Sequence, residues 1–268
     1  MAIKVSGCIV NYNSYDKCRE TIRSILVNTK GVDFTLYVVD NASKEDELEK
    51  LKNEFPEIVA IQSQWNGGFG AGHNQVLHLL DSKYHAVINP DILFDRDVLT
   101  ELVEYMEQNP DIGLVTPQIR NEDGTDQQLG KRNPTVKALV GRHLFKKKLE
   151  REVRHYQMLD EDLTKPIDIQ FSTGCFFMLR TEIFQRLRGF DSDTFFIYYE
   201  DMDITRRVIN HAHSRAVYYP YTYVTHLWIR ASSHSLKYFI ILVQGMFKYF
   251  GKWGWQIGYP ELKDGGKK

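Results

Sequence analysis

The sequence predicts an α/β fold on a mainly parallel, Rossmann-like central sheet flanked by helices, with a C-terminal aromatic helical extension. Three observations carry the α/β prediction. Short β-type runs alternate with amphipathic helical segments through the first half of the chain. Two of those runs end on acidic or turn-forming residues, Asp40 and Asn89-Pro90-Asp91. A glycine-rich stretch, Asn66–Asn74, lies between them. Repeated β-α units need crossover connections, which place strands parallel with helices on both faces. In such sheets ligands bind beyond the carboxyl ends of the strands, where Asp40, the glycine stretch and Asp91 all fall.

Ile3–Val10 is the first β-type run. Ser14 is placed to cap a helix over about Asp16–Asn28, with Ile22, Ile25 and Leu26 on one face. Phe34–Val39 is a second strand. Ser43 is expected to cap the next helix, with Asp46 as an acidic analogue of its capping-box partner. Ile58–Gln62 reads as a third strand, and Gly67–Gly72 as a loop opening a helix near His73–Leu80. Tyr84–Ile88 is a fourth strand, Asp97–Gln108 a helix and Gly113–Thr116 a fifth strand. Arg120–Pro166 is long, polar and charged, with a basic cluster at Lys146–Lys148. Structureless connectors of that length are uncommon in compact domains, so short helices or a mobile lid are expected there. Ile167–Phe171 and Cys175–Leu179 then read as strands, Tyr199–His211 as a helix, Val217–Tyr219 and Tyr223–Thr225 as two short strands, and Ser232–Phe250 as an aromatic helix.

Composition narrows the function. The chain has 268 residues, 43% hydrophobic, enough for one large domain with a substantial core. Its 34 Lys and Arg balance 35 Asp and Glu, which excludes nucleic-acid binding through general phosphate attraction. The three cysteines, Cys8, Cys18 and Cys175, have no zinc-ligand spacing and suit a reduced, cytoplasmic compartment. Neither a signal peptide nor an apolar run long enough to cross a membrane is expected.

Four stretches can carry chemistry. Asp40 can accept hydrogen bonds from a ligand or shape a turn. In Asn66-Gly67-Gly68-Phe69-Gly70-Ala71-Gly72-His73-Asn74, four glycines allow close backbone approach and can present N–H groups to an anion, or can form an ordinary turn. Asp91 can give a hard divalent cation one carboxylate while phosphates fill other positions. Phe195–Asp203 is the most unusual: Glu200, Asp201 and Asp203 open a helix directly after an aromatic run. Acids at a helix N-terminus suit the dipole, and Asp203 can pair with Arg207 four residues on. An acid against an apolar wall has a raised pKa, which suits a general base. His226 is a further candidate for a metal or phosphate contact.

In this order, Val39-Asp40-Asn41-Ala42-Ser43, the glycine stretch, Asn89-Pro90-Asp91, Thr173-Gly174-Cys175, Gly189-Phe190-Asp191 and Glu200-Asp201-Met202-Asp203 with Arg207, the motifs resemble those of the inverting family 2 glycosyltransferases, in particular the rhamnosyltransferase-like branch that builds bacterial surface polysaccharide. The resemblance implies a GT-A domain over residues 1–230, with 1–116 as nucleotide-binding half and 117–230 as acceptor-binding half. It implies that Asp40 and Asn41 hold base or ribose, that Asn66, Gly67, Gly68, Gly70 and Asn74 line the nucleotide and diphosphate, and that Asn89-Pro90-Asp91 stands for the family's metal-binding motif. Mg²⁺ or Mn²⁺ would sit on Asp91 and His226. Asp201 would be the catalytic base, with Glu200, Thr173 and Gly174 on the acceptor side. The implied partners are a nucleotide-diphosphate sugar, dTDP-L-rhamnose favoured over UDP-hexoses, and a saccharide or lipid-linked acceptor. A nucleotidyltransferase would want a basic residue in the glycine loop, and none is there. A non-catalytic glycan-binding module would not need both Asp91 and Asp201.

Residues 231–268 form the expected C-terminal segment. Basic residues alternate with aromatics in Leu236–Leu242 and Phe247–Trp255, a composition suited to a membrane interface at the inner face of the cell membrane. A helix packed on the domain or a dimer contact is the competing expectation.

Overall fold

The computed structural model describes residues 2–44, 46–145, 147–227 and 236–262. The first half comprises β1 (Lys4–Asn11), α1 (Tyr15–Asn28), β2 (Asp33–Asp40), α2 (Glu47–Glu54), β3 (Val59–Gln62), α3 (Phe69–Asn74), β4 (Tyr84–Ile88), β5 (Ile92–Leu93), α4 (Val98–Gln108) and β6 (Ile112–Arg120). The second half adds α5 (Val136–His143), α6 (Glu150–Tyr156), β7 (Ile167–Asp168), β8 (Phe176–Arg180), α7 (Thr181–Arg186), α8 (Glu200–Asn210), β9 (Arg215–His226) and α9 (Leu236–Trp253).

One sheet runs β3-β2-β1-β4-β8-β6-β9-β5, with β7 also on β9. The β3-β2-β1-β4 side is wholly parallel, as the β-α repeat predicts. β8 inserts antiparallel between β4 and β6, while β6 and β9 are again parallel. The reversal has a topological cause. β6 ends at the carboxyl end of the sheet, the chain makes its excursion through α5 and α6, and β8 then returns downward. The turn before β8 therefore lies beside the end of β4, with Ile88 opposite Phe176.

Strand alternation sends neighbouring side chains to opposite faces. Phe176 and Met178 join Ile22, Ile25, Leu99 and Leu102 under α1 and α4. Phe177 and Leu179 join Val39, Ile204 and Val208 under α8. A third cluster unites Tyr156, Phe195, Tyr199, Met202, Tyr249 and Phe250, so α9 packs onto the turn that precedes α8.

Several expectations are corrected. α1 starts as expected, but the Ser14 side chain makes no cap bond. α2 begins only at Glu47, with Asp46 at its N-cap, because Ser43 turns to Asp40 instead. The helix expected over His73–Leu80 forms earlier, through the glycines, and continues as tight turns to Leu79. The strand expected over Ile167–Phe171 is only Ile167–Asp168. The two short runs near 217 and 225 are one strand, β9, whose residues 220–222 fall in a register shift opposite Pro117/Gln118. β5 and α7 were not anticipated. Short helices do occupy the 120–166 excursion. The expected start of the last helix at Ser232 and the 230/231 boundary lie outside the described residues, as does Lys146. All three cysteines are free and buried.

Candidate active site

At the end of β2, Asp40 is 1% exposed. Its Oδ1 accepts from Asn11 Nδ2 at 3.2 Å and the Ser43 hydroxyl at 2.5 Å; its Oδ2 accepts from the Ser43 N–H at 2.9 Å and Gln62 Nε2 at 3.0 Å. Both oxygens thus accept from protein donors, and Asp40 shapes the turn. Asn41 Nδ2 donates to Asn66 Oδ1 and to the Gly68 carbonyl, both at 3.0 Å.

The glycine stretch is likewise turned inward. The Gly67 N–H donates to Asn41 Oδ1, the Gly68 N–H to Asn66 Oδ1 and the Phe69 N–H to the Phe196 carbonyl. An open anion cradle over these N–H groups is therefore not what the loop forms. Gly68 has φ 88°, and a Cβ there would stand 1.9 Å from the Phe196 carbonyl oxygen. A Cβ on Gly70 would press on Phe190, and one on Gly72 on Val10. These glycines serve close packing of α3 against β1 and the 190–196 segment. Asn74 follows the same logic: both its amide atoms bond the Phe190 main chain at 2.8 Å, away from any diphosphate role. What remains open at this end is aromatic: Trp65 is 70% exposed and Tyr12 41%. Neither was singled out from sequence, because exposure is a tertiary property.

The second pole is built by strand pairing. β5 places Ile92 opposite His226 of β9. His226 Nε2 stands 3.2 Å from Asp91 Oδ1, and Lys17 Nζ 3.5 Å from Asp91 Oδ2. Burial pushes the Asp91 pKa up, but His226 and Lys17 outweigh it and hold the carboxyl below its ordinary value. Gln127 Nε2 donates to the His226 carbonyl at 2.9 Å, so Gln127 Oε1 faces His226 Nδ1 at 3.0 Å. That orientation gives Nδ1 the proton and turns Nε2 toward Asp91. Asp91 Oδ1 is buried, and His226 Nε2 is the polar group that faces it.

The third pole is the start of α8. Gly174 N–H donates to Asp201 Oδ2 at 2.9 Å, and the Met202 N–H to Asp201 Oδ1 at 2.8 Å. Burial raises the Asp201 pKa to about 6. Burial, reinforced by Asp201, raises Glu200 to about 8, and Glu200 Oε2 has no partner. The neighbouring residue joins this pole to the last one. The Cys175 carbonyl accepts from the Asn89 N–H at 2.8 Å. Asp91 and Asp201 both act electrostatically on the buried Cys175 thiol. The Asp201 carboxylate and the Asn89-Pro90-Asp91 turn are therefore tied to two consecutive residues, Gly174 and Cys175. Asp203 is structural, paired with Arg207 Nε at 2.7 Å as expected. Its other oxygen takes Lys252 Nζ at 2.7 Å and Trp253 Nε1 at 2.8 Å, partners that lie in α9 and that sequence spacing does not reveal.

Residues 6–188 match the model of Glycosyl transferase family 2. The chain belongs to this family. An uncharacterised glycosyltransferase of Methanocaldococcus jannaschii is 29% identical over 116 residues, 41% of this chain and 40% of that relative, so the family 2 chain aligns with only two-fifths of the relative's length. Among solved structures, GalNAc-T7 with UDP, GalNAc and Mn²⁺ is similar at TM-score 0.65 and 14% identity, over 86% of this chain and 44% of that one. The mannosyltransferase PcManGT of Pyrobaculum calidifontis, with GDP-Man and Mn²⁺, is similar at TM-score 0.65 and 16% identity, over 99% and 66%. S. aureus TarS is similar at 0.59 and 13%, over 93% and 72%. These likenesses show a shared GT-A fold.

A divalent cation fits the second pole of this family 2 chain. His226 Nε2 and a buried Asp91 oxygen face each other at 3.2 Å. A proton on Nε2 or a cation between the two atoms satisfies that pair. No group of three acidic, histidine or cysteine ligands occurs among the described residues. The protein would therefore supply two ligands and leave the rest to phosphate oxygens and water.

Proposed function

We propose that the chain is an inverting, metal-dependent glycosyltransferase that moves a sugar from a nucleotide diphosphate to a hydroxyl of a saccharide or lipid-linked acceptor. The observation that supports this best is the Gly174-Cys175 step, which ties a fixed carboxylate, Asp201, to the Asp91 turn. Asp91 and His226 would hold Mg²⁺ or Mn²⁺, which when bound neutralises charge on the leaving diphosphate. Asp201 takes the proton of the acceptor hydroxyl. The Gly174 N–H holds the carboxylate oxygen that does so, and the buried setting gives it a pKa near neutrality, where a base works best. Attack from the face opposite the leaving group inverts the anomeric centre. Glu200, protonated at neutral pH, stands beside the acceptor with Thr173. Trp65 and Tyr12 offer stacking surfaces for the base at the nucleotide half, residues 1–116, which faces an acceptor half over 117–230.

The motif order favours dTDP-L-rhamnose as donor and surface-polysaccharide synthesis as setting. A UDP- or GDP-hexose is the second reading, because the similar structures hold UDP and GDP-Man. Phe239, Ile240 and Phe247 of α9 are exposed, which supports a peripheral contact with the inner face of the membrane. No helix among the described residues is long and apolar enough to cross one. A donor panel of dTDP-rhamnose, UDP-hexoses and GDP-mannose, with and without Mn²⁺, tests the reading by sugar release. Release of one sugar that stops on adding chelator is expected; no release from any donor would refute it.

A further inference from the structure

We propose that a recess between β6, the 126–131 segment and residues 171–173 is a subsite for an anionic substituent, a carboxylate or phosphate, on the acceptor sugar, with Lys131 as its positive anchor. This rests on the glycosyltransferase reading and deepens it.

Lys131 is 6% exposed, unusual for a lysine, which is almost never buried without a paired charge. Its ammonium donates to the Leu129 carbonyl at 3.3 Å and lies 4.6 Å from the centre of the Tyr218 ring. Among the described residues no carboxylate stands within ion-pairing distance of it. Asp126 is the acid whose charge reaches it, but both Asp126 oxygens serve other donors: Gln118 Nε2 at 3.1 Å on one, the Gln128 N–H at 2.5 Å on the other. Two further polar atoms of the wall, Ser172 Oγ and Thr173 Oγ1, are buried with no hydrogen-bond partner. A buried cation and two unpartnered hydroxyls on one recess are costly to leave unmet. An oxyanion answers all three at once.

Position and size say which molecule brings it. Gln127, next to Asp126, holds His226, and Gly174, next to Thr173, holds Asp201. The recess is thus lined by residues that adjoin, along the chain, the groups that hold His226 and Asp201. Its volume is about 20 Å³, room for an oxygen or two of a charged substituent and not for a sugar ring.

The test compares wild type with Lys131→Met, a variant of similar length without the charge, by thermal unfolding with millimolar glucuronate, glucose 6-phosphate or glucose, and separately with dTDP, UDP or GDP and Mn²⁺. The expected wild type melts higher with both anions and not with glucose. The expected variant folds, melts at or above wild type, keeps its nucleotide–Mn²⁺ shift and loses the shift with the anions. Thr173→Val, which removes one hydroxyl, is expected to reduce the anion shift. A Lys131→Met protein that is destabilised or unfolded would mean that Lys131 is a structural ion, overturning the proposal. So would anion shifts absent in wild type, or equal in both proteins, or a variant that loses the nucleotide shift and keeps that with glucuronate, which would assign Lys131 to the donor. A wild type that ignores dTDP, UDP and GDP with Mn²⁺ but answers glucuronate through Lys131 would refute the donor reading and keep the subsite.

Discussion

The two acidic poles of the site are held in different ways. Asp91 sits where β4 gives way to β5, and its partner His226 reaches it through strand pairing of β5 with β9. Asp201 follows two tyrosines, Tyr198 and Tyr199, both in the left-handed region at φ 70°. Such residues carry backbone strain and persist only where surrounding packing fixes them. Here the packing is α9. A Cβ on Gly245 would stand 2.7 Å from the Tyr199 ring, Tyr249 packs on that ring at 5.8 Å, and Lys252 and Trp253 bind Asp203 one turn in. One pole is built by the sheet and the other by a helix some fifty residues away. The first should tolerate changes in α9, and the second should not.

The largest expected effect breaks the second pole chemically. Asp201→Asn should lower kcat by roughly 10³-fold, the usual worth of a positioned base, with donor affinity unchanged in a calorimetric titration. Next comes a change that leaves every acidic residue in place. Gly245→Val would push α9 off Tyr199, and a displaced base costs about 10²-fold in rate. Donor binding, which depends on the other pole, should survive in the same assay. If donor affinity fell in step with rate, the two poles would not be independent. Asp91→Asn should do the reverse, weakening donor affinity about 10-fold in Mn²⁺ and little in chelator, as titrations at both conditions would show.

The smallest effects are those of pH. Activity should rise through about pH 6 as Asp201 loses its proton. Glu200 has its carboxyl raised from 4.5 to about 8 by burial and by Asp201. A raised carboxyl binds its proton more tightly in the folded state, so its stabilising contribution is complete below pH 4.5 and is lost as pH rises through 8. Wild type should therefore lose thermal stability across that window, and Glu200→Gln should flatten the loss. A variant as steep as wild type would place the titration elsewhere.

The same contrast explains what could be read from sequence. Strand ends and helix faces in the first half follow from alternation and 3.6-residue periodicity, which are local, and so β1, β2, β4 and α4 fall within a residue or so of expectation. Asp91, His226, Glu200 and Asp201 were recognisable as residues. Their environment was not. That Asn11 and Gln62 join the adjacent Ser43 on Asp40, or that Asn74 braces Phe190, depends on groups 22 to 116 residues apart. The glycine stretch misled for a physical reason: the lack of a side chain that would let a phosphate approach equally lets Val10, Phe190 and Phe196 approach. Lys131 carried no sequence signal, since only burial without an ion pair makes it unusual. The family match ends at residue 188, before Asp201, His226 and α9.

The central claim is that a divalent ion at Asp91 and His226 shares one cleft with Asp201. Crystals grown with UDP and Mn²⁺, with the metal located by its anomalous scattering, test it most directly. The account predicts a manganese peak bonded to Asp91 and His226, with the Asp201 carboxylate open to the same cleft as the diphosphate. A peak elsewhere, or a diphosphate bound with Asp201 facing a different surface, would contradict it.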